Sequence, residues 1–391
     1  MHRKKLAIIG RGTVGCTAAI YFLSKTDWLI DWYYDPEIQP ASVGEGTNLA
    51  LPRTLGQVMN FDSKDLDNIT ATPKLGIWKR NWGPGCDYKH TFPADSHGIH
   101  FNAVEFQKYI FDKVKDDKRM TLIEENVTDY ENIDADYVMV CTGSPKGMTE
   151  KFNIRDKIPV NTATVFQCPW DLVKFNYSLT FAKEHGWVFG IPIQNRCSIG
   201  YLYNDQFSTE EQVTEDVQDI LKEFDLEPAM SRTLKFSNYS RKQNFSERVV
   251  YNGNASFFLE PLEATSTGFA ESILQASYEL WTGKMSLNFA EMMYQYFLND
   301  IECMICLHYF AGSKFKSEFW EYAEQLGTQK MLENIQQGGE FTKMIKSVIE
   351  YDRSSSYTFP NTNDVGTWNF NSYWQNIEGL GVREKFRKLL G

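Results

Sequence analysis

A glycine-rich turn near the N-terminus constrains the fold of this chain more than any other feature. Lys5 to Ile9 is a short apolar run typical of a buried strand, and an apolar helical pattern follows the turn. The turn contains Gly10, Gly12 and Gly15, which follow the pattern G-x-G-x-x-G. The first glycine permits a tight turn, the second lets backbone N–H groups reach a pyrophosphate, and the third allows close helix–strand packing. Thr13 lies in the same turn and is a further candidate contact to the cofactor.

The segments around the turn favour dinucleotide binding over an ordinary glycine turn. Trp28 to Tyr34 reads as a second strand, and Asp35 at its end could accept hydrogen bonds from ribose hydroxyls. A further strand ends in a turn at Gly143 and is similar to the second nucleotide-contacting strand of FAD-binding folds. We find no second G-x-G-x-x-G that would hold NAD(P)H. The cofactor is therefore predicted to be FAD, with reducing equivalents supplied from elsewhere.

The rest of the chain predicts a second module that is interleaved with the first. Residues 157–203 alternate as in a mostly antiparallel sheet, residues 209–224 form an acidic amphipathic helix, and residues 267–350 are mainly helical. The predicted fold is α/β, with an FAD-binding Rossmann-type module like that of flavin monooxygenases. It is joined to a substrate module of antiparallel sheet plus C-terminal helices. The predicted division is 1–155 for the first part of the FAD module, 156–245 for the substrate sheet, 246–290 for the return of the FAD module, and 291–391 for the C-terminal helices.

Composition excludes several classes of function. The net charge of −11 argues against a nucleic-acid partner, and no apolar run is long enough to span a bilayer. The seven cysteines are odd in number and scattered, which does not suggest a disulfide framework. Cys303 and Cys306 form a lone C-x-x-C without a second pair at zinc spacing, so we predict no metal site. We expect a cytoplasmic protein and leave a homo-oligomer open.

Several segments, taken in order, resemble the flavin-dependent tryptophan-halogenase-like family. They match its first glycine motif, its G-E-A-T flavin segment, its lysine segment, its H-F-D-A, its W-x-W-x-I-P, its glutamate segment and a late helical block. These segments are Gly10 to Gly15, Val43 to Thr47, Lys74 to Trp82, His100 to Ala103, Gly186 to Pro192, Leu259 to Glu263, and His308 to Phe310 with Phe319 and Trp320. The chain thus looks like a short, divergent member of that family.

The resemblance implies a halogenase. In such enzymes, reduced FAD and dioxygen convert halide to hypohalous acid, which travels through a tunnel to a lysine beside an electron-rich aromatic substrate. Electrophilic aromatic substitution follows. The implied reactants are reduced FAD from a separate flavin reductase and chloride, bromide or iodide. The implied flavin contacts include Val43, Gly44 and Glu45.

The same resemblance implies roles for individual residues. Glu263 matches the catalytic glutamate, although an acid after a proline is also common at a helix start. Thr267 and Gly268 match the loop that holds halide through backbone N–H groups, and a plain helix-entry turn with Ser266 or Thr267 as N-cap is the alternative.

The catalytic lysine is less directly placed. A gapless alignment puts Trp78 at the family's lysine position, and a shift of one residue puts Lys79 there. We assign the role to Lys79, with Lys74 as the alternative and an ordinary solvated lysine as the competing interpretation. If residues 74–80 form one strand, Lys74 and Trp78 share a face and Lys79 points to the other.

Three departures from the family pattern bear on function. Trp187 and Pro192 keep the W-x-W-x-I-P signature, but Phe189 replaces its second tryptophan. The segment Ala264 to Gly268 is two residues longer than the family's S-T-G, and residues 83–99 are far fewer than in the tryptophan enzymes. The resemblance thus supports halogenation of a small aromatic molecule better than it supports tryptophan as the substrate. There are two rival hypotheses. One is a related flavin monooxygenase or dehydrogenase without halide chemistry, and the other is a flavoprotein without turnover.

Overall fold

The computed structural model describes residues 3–38, 45–351 and 368–391. The described strands, in chain order, are β1 Lys5–Ile9, β2 Leu29–Tyr34, β3 Glu45–Gly46, β4 Thr72–Lys74, β5 Gly76–Arg80, β6 Asp87–Thr91, β7 Gly98–Phe101, β8 Met120–Glu124, β9 Tyr137–Val140, β10 Phe152–Ile154, β11 Thr162–Pro169, β12 Ser178–Lys183, β13 Gly186–Ile193, β14 Arg196–Tyr203, β15 Met230–Lys235, β16 Tyr239–Arg241, β17 Val249–Tyr251 and β18 Phe257–Phe258. The described α-helices are α1 Thr13–Lys25, α2 Ala50–Met59, α3 Ala103–Val114, α4 Glu210–Asp216, α5 Gln218–Glu223, α6 Thr265–Trp281, α7 Leu287–Ala311, α8 Glu318–Gln337, α9 Glu340–Glu350, α10 Phe370–Gly379 and α11 Arg383–Leu390.

A parallel sheet of five strands forms the N-terminal module, in the order β17-β9-β1-β2-β8. Its central strands are apolar on both faces, as expected for a sheet covered on both sides. Helices α1 and α3 pack against each other, and α6 packs against α1 and α2. The predicted β-turn-α-β unit is therefore confirmed, and so is the predicted α/β fold.

A second sheet of seven strands, in the order β15-β11-β14-β13-β12-β5-β6, forms the other module. All of its neighbouring pairs are antiparallel except β12 with β5. Strands β5 and β6 come from the first 155 residues, and β17 from residues 246–290 returns to the parallel sheet. The two modules thus interleave in sequence, while the boundaries that we drew between them stay a prediction.

The structure corrects two details of the predicted elements. The helix predicted over residues 209–224 is two short helices, α4 and α5, that meet at Val217. Polar and aromatic residues mix without a clear period between residues 351 and 376, so the sequence predicts no element there, but helix α10 begins within this segment at Phe370.

Residues 74–80 do not form one continuous strand, because β4 ends at Lys74 and β5 begins at Gly76. Gly76 has φ +151°, and a Cβ atom there would lie 2.2 Å from the carbonyl oxygen of His90. Because this glycine interrupts the alternation of the strand, Lys74 and Lys79 are both fully buried, whereas Trp78 is partly exposed. The condition under which Lys74 and Trp78 would share a face, one continuous strand over residues 74–80, is therefore not met.

The described residues include neither a membrane-spanning helix nor a metal-binding cluster. Among them, no helix combines the length and apolar character needed to cross a bilayer. The same part of the chain holds no cluster of three or more His, Cys, Asp or Glu side chains arranged to hold a metal ion.

Candidate active site

The glycine turn between β1 and α1 forms an open cradle at the N-terminus of the helix. Gly10 has φ +109°, and a Cβ atom there would lie 2.3 Å from the carbonyl oxygen of Cys141. A Cβ atom on Gly15 would lie 2.1 Å from the carbonyl oxygen of Gly10, so neither position accepts a larger residue. Gly12, the N-cap of α1, has nothing within 4 Å of its Cβ position. That open space beside free helical N–H groups fits the pyrophosphate of a dinucleotide.

Side chains around the cradle fit the rest of a flavin dinucleotide. Thr13 Oγ1 donates a hydrogen bond to Oε1 of Glu45 at 3.0 Å, and burial raises the pKa of Glu45 to about 7. Asp35 follows β2 and accepts a hydrogen bond from Asn126. Gly143 has φ +84° and open space at its Cβ position. These residues leave the edge of the parallel sheet open to a ligand, while the predicted contacts Val43 and Gly44 lie outside the described residues.

The W-x-W-x-I-P region lies on β13, with Trp187 and Phe189 buried in the core between the modules. Trp187 Nε1 donates to Oε2 of Glu260 at 3.1 Å and also contacts the hydroxyl oxygen of Tyr309 at 3.1 Å. The ring of Phe189 lies over Gly200 on β14, where a Cβ atom would be only 2.1 Å from the ring. The glycine therefore makes room for the phenyl ring that replaces the family's second tryptophan.

Pro192 continues the same strand, and its carbonyl oxygen accepts a hydrogen bond from Thr72 Oγ1 at 2.7 Å. Thr72 lies on β4, in the sheet that also contains β3 and the Glu45 segment. This hydrogen bond ties the signature strand to the flavin segment.

Lys79 and Glu263 meet in a buried polar cluster between the two modules. Both side chains are almost completely inaccessible, and Lys79 Nζ donates a hydrogen bond to Oε1 of Glu263. Glu263 lies in a short turn at residues 262–264 and has φ +71°, a conformation that non-glycine residues adopt at a cost. That strained turn aims its carboxylate at β5.

The Lys79 ammonium has three acceptors for its three protons. Besides the Glu263 carboxylate, Nζ lies 2.7 Å from Nε2 of His308 and 2.6 Å from Oδ1 of Asn376. An ammonium can donate only three hydrogen bonds, so this one is saturated. Burial lowers the pKa of Lys79, and the charge of Glu263 opposes that shift.

The tautomer of His308 follows from its neighbours. Its Nδ1 lies 2.9 Å from the carbonyl oxygen of Met304, which can only accept, so Nδ1 carries the proton. Burial, followed by the charge of Lys79, lowers the pKa of His308 to about 4. The neutral ring thus leaves Nε2 free to accept from Lys79.

The carboxyl group of Glu263 is ionised in this setting. Burial alone would raise its pKa, but the charge of Lys79 and the contacts of His308 and His90 hold the pKa well below its usual range. Nδ1 of His90 lies 3.5 Å from Oε2 of Glu263. The carboxylate therefore remains a base and an electrostatic partner throughout the neutral pH range.

Lys74, the alternative lysine, is buried a short distance away with a different environment. Its Nζ has no hydrogen-bond partner among the described residues and lies 5.7 Å from the ring centroid of Phe92. Burial lowers the pKa of Lys74 to about 7, with Glu263 raising it and Lys79 lowering it further. The two lysines thus differ in hydrogen bonding, because Lys79 Nζ has three acceptors and Lys74 Nζ has none among the described residues.

The predicted halide residues lie in the first turn of α6, which begins at Thr265 with Ala264 as its N-cap. Within the part of the chain that the structure describes, Oγ1 of Thr265 and Oγ1 of Thr267 are buried without hydrogen-bond partners. Gly268 packs against Asn48, because a Cβ atom on it would lie 1.9 Å from Nδ2 of that residue. The N–H groups up to Thr267 lack acceptors within the helix, so Thr267 is better placed than Gly268 for an anion. Halide binding at both residues stays a prediction.

Sequence reasoning missed four members of the cluster, which are His308, His90, Asn376 and Tyr88. His308 belongs to a segment that resembles the family, and its place in that motif was the signal that could have identified it. Asn376 and Tyr88, whose hydroxyl donates to Oδ1 of Asn376 at 2.9 Å, carry no such signal. Their proximity depends on chain segments far apart in sequence.

His308 offers a test of the saturated ammonium. We expect His308→Phe to lower the free energy of unfolding by about 1–3 kcal/mol, because one proton of a buried ammonium loses its acceptor. Urea unfolding at pH 7 measures this change. In a Lys79→Met background the same substitution should lower the free energy of unfolding by less. Equal decreases in the two backgrounds would contradict the hydrogen bond between Lys79 and His308.

Comparison with known proteins identifies the family. The family model described as "Tryptophan halogenase" matches residues 5–130 and 112–385. The chain belongs to the tryptophan halogenase family. Tryptophan 7-halogenase RebH of Lentzea aerocolonigenes is 25% identical over 271 residues, which are 64% of this chain and 49% of that protein. Tryptophan 6-halogenase ThaL of Streptomyces albogriseolus is 24% identical over 262 residues, or 61% of this chain and 46% of that protein. The matched region thus spans about half the length of these relatives.

Solved structures of halogenases have the same fold. A tryptophan halogenase from Shewanella frigidimarina superposes with a TM-score of 0.78 at 16% identity, covering 99% of this chain and 93% of that one. A flavin-dependent halogenase from Xanthomonas campestris has a TM-score of 0.78 at 17% identity, covering 98% and 90%. The resemblance drawn from short motifs is therefore confirmed at the level of family and fold.

Proposed function

We propose that this member of the tryptophan halogenase family is an FAD-dependent halogenase, an oxidoreductase that halogenates an electron-rich aromatic small molecule. The observation that carries the proposal is the buried Lys79–Glu263 pair, located between an open dinucleotide cradle and the antiparallel sheet. Family membership supports FAD and halide as reactants. Reduction of the flavin by a separate reductase completes the proposal.

The residues of the cradle would hold the flavin. Gly10, Gly12 and Gly15 would shape the turn under its pyrophosphate, and Thr13 with Glu45 would line the same edge. When bound in its reduced form, the flavin would supply the chemistry by which dioxygen oxidises halide to hypohalous acid.

The chain's own residues would then direct that oxidant. The Lys79 ammonium would donate a hydrogen bond to hypohalous acid in place of one of its present acceptors and so make the halogen more electrophilic. Glu263, held as a carboxylate, would accept the proton that the aromatic ring loses. Trp187, Phe189 and Pro192 would form the wall between flavin and substrate.

The proposal is tested by incubating the protein with reduced FAD, dioxygen and each halide in the presence of a panel of phenols and indoles. Mass spectrometry should find products whose mass shift follows the halide supplied. Hydroxylated products without halogen would favour a monooxygenase, and flavin binding without any product would favour a non-catalytic flavoprotein.

The halide is predicted to be bromide or iodide in preference to chloride. The segment from Ala264 to Gly268 is two residues longer than the family's pattern, which is the reason to expect a larger anion, and the heavier halides are also easier to oxidise. Direct competition between equal concentrations of chloride and bromide, read by product mass, measures the preference. An excess of chlorinated product would refute it.

A further inference from the structure

Tyr88 places an electron-rich aromatic ring of the protein itself beside Lys79. The two residues are direct cross-strand partners in the pairing of β5 with β6, so their side chains share the inner face of this hairpin. The ring centroid of Tyr88 lies 5.8 Å from Lys79 Nζ. A phenol is activated toward electrophiles at the two ring carbons next to its hydroxyl group, which are Cε1 and Cε2 in tyrosine. The chain thus holds a group of the kind that a halogenase modifies.

The hydroxyl group of Tyr88 is anchored on the same acceptor as the Lys79 ammonium. It donates a hydrogen bond to Oδ1 of Asn376 at 2.9 Å, and Lys79 Nζ donates to that oxygen at 2.6 Å. Burial, and then the charge of Glu263, hold the pKa of Tyr88 well above its usual range. The phenol therefore keeps its proton and its hydrogen bond, and the shared acceptor holds the hydroxyl end of the ring close to the ammonium.

Helix α10 contacts one edge of the Tyr88 ring. A Cβ atom on Gly379 would lie 2.4 Å from Cε2 and 2.5 Å from Cδ2 of Tyr88. The ring fits against the helix only because Gly379 has no side chain, and a halogen on Cε2 would collide with the helix. Of the two activated carbons, this leaves Cε1, on the opposite edge of the ring.

We propose that Tyr88 is a site of self-halogenation, at Cε1, when hypohalous acid reaches Lys79 without an aromatic substrate present. The inference rests on the proposed function, which supplies the hypohalous acid. Cε1 takes the halogen, so a C–X bond forms, and the X–O bond breaks with its electron pair leaving on hydroxide. The ring proton joins that hydroxide as water. Hypohalous acid and a ring C–H group thus become a ring C–X group and water.

Such a modification would limit the enzyme's own activity. The added halogen would lie between the cross-strand partners Tyr88 and Lys79, next to the ammonium that directs the oxidant. It would therefore occupy space that a substrate needs at Lys79. Turnover without substrate should inactivate the protein in step with the modification of Tyr88.

Peptide mass spectrometry tests the modification directly. The protein turns over reduced FAD, dioxygen and bromide without an aromatic substrate, and its peptides are searched for the paired isotopes of bromine. Tyr88 should gain a single bromine, because only one of its activated carbons is clear of α10. In Lys79→Met the bromine on Tyr88 should fall at least about tenfold, since the directing group is lost. Bromination of Tyr88 that is unchanged in Lys79→Met would overturn the inference.

Tyr177 is a matched control on the outer face of the same hairpin. Its ring centroid lies 4.9 Å from Nζ of Lys89, an exposed lysine that follows Tyr88 in β6. Hypobromous acid that diffuses freely would reach this partly exposed ring, whereas oxidant directed by Lys79 would not. Tyr88 should therefore contain at least about tenfold more bromine than Tyr177. Equal bromination of the two tyrosines would overturn the inference.

Tyr88→Phe tests the self-limiting role. The wild type and the variant are incubated with reduced FAD, dioxygen and bromide but no aromatic substrate, and each is then compared with its own starting activity. The variant should keep the larger fraction, because its ring lacks the activating hydroxyl group. A purely structural role for Tyr88 would change the starting activity but not the fraction that survives. Equal fractional losses would overturn the self-limiting role.

A diketone in solution, which hypobromous acid brominates, separates failure of this inference from failure of the proposed function. If the diketone is brominated while Tyr88 remains unmodified, the inference is overturned and the halogenase stands. If neither the diketone nor Tyr88 is brominated, the protein makes no hypobromous acid. The proposed function then falls, and the inference falls with it.

Discussion

Replacing Lys79 by methionine is expected to lower product formation by about 10²–10⁴-fold, while flavin binding and release of hypohalous acid continue. The substitution removes the ammonium that contacts Glu263 but leaves the glycine cradle untouched, because Lys79 lies on β5 of the other sheet. Two quantities are measured side by side. One is the halogenated aromatic product, and the other is bromination of a soluble diketone, which reports the release of hypohalous acid. Lys89→Met is the matched control, since it removes an exposed lysine from the neighbouring strand.

The fold of the Lys79 variant needs its own control. Removing one partner of a buried ion pair leaves an uncompensated charge and typically costs about 3–5 kcal/mol. The double variant Lys79→Met/Glu263→Gln removes both charges and should recover stability without recovering activity. Glu263→Gln alone should reduce product while flavin binding is unchanged. A Lys79→Met enzyme that halogenates at nearly the wild-type rate would contradict a catalytic role for Lys79.

The fold could be predicted because its signals are local. The strand, glycine turn and helix around Gly12 lie within a few tens of residues, and the alternation along β13 and β14 depends only on which side chains face inward. Such patterns survive in a single sequence because each residue's role is set by its immediate neighbours.

The candidate site was only partly predictable because its geometry depends on distant contacts. The inward position of Lys74 follows from the positive φ of Gly76, which in turn reflects the close approach of the backbone at His90. Asn376 reaches Lys79 across 297 positions of sequence, from a helix in a segment without a clear pattern. The motifs could identify Lys79 and Glu263 as candidates. They could not show that the Lys79 ammonium has three hydrogen-bond acceptors, or that Lys74 Nζ has none among the described residues.

Replacing Gly12 by valine is expected to weaken FAD binding at least about 100-fold, or about 2.7 kcal/mol, in a protein that still folds. Gly12 has φ −70° and ψ 177°, which valine adopts without strain, and its Cβ position is empty to 4 Å. The side chain would therefore fill only the space that the pyrophosphate needs. Gly10 cannot serve for this test, because its φ of +109° and its contact with Cys141 would disturb the fold.

Gly339 provides a matched control for this substitution. It is the N-cap of α9 with φ −64° and ψ 173°, nearly the conformation of Gly12, and a Cβ atom there would make only an ordinary contact with Asn334 at 3.5 Å. Gly339→Val should thus share the general effect of valine at a helix N-cap but bind FAD like the wild type. Flavin fluorescence titration of the three proteins, with circular dichroism to verify folding, measures the difference. Equal FAD affinity in a folded Gly12→Val protein would exclude the cradle between β1 and α1 as the flavin site.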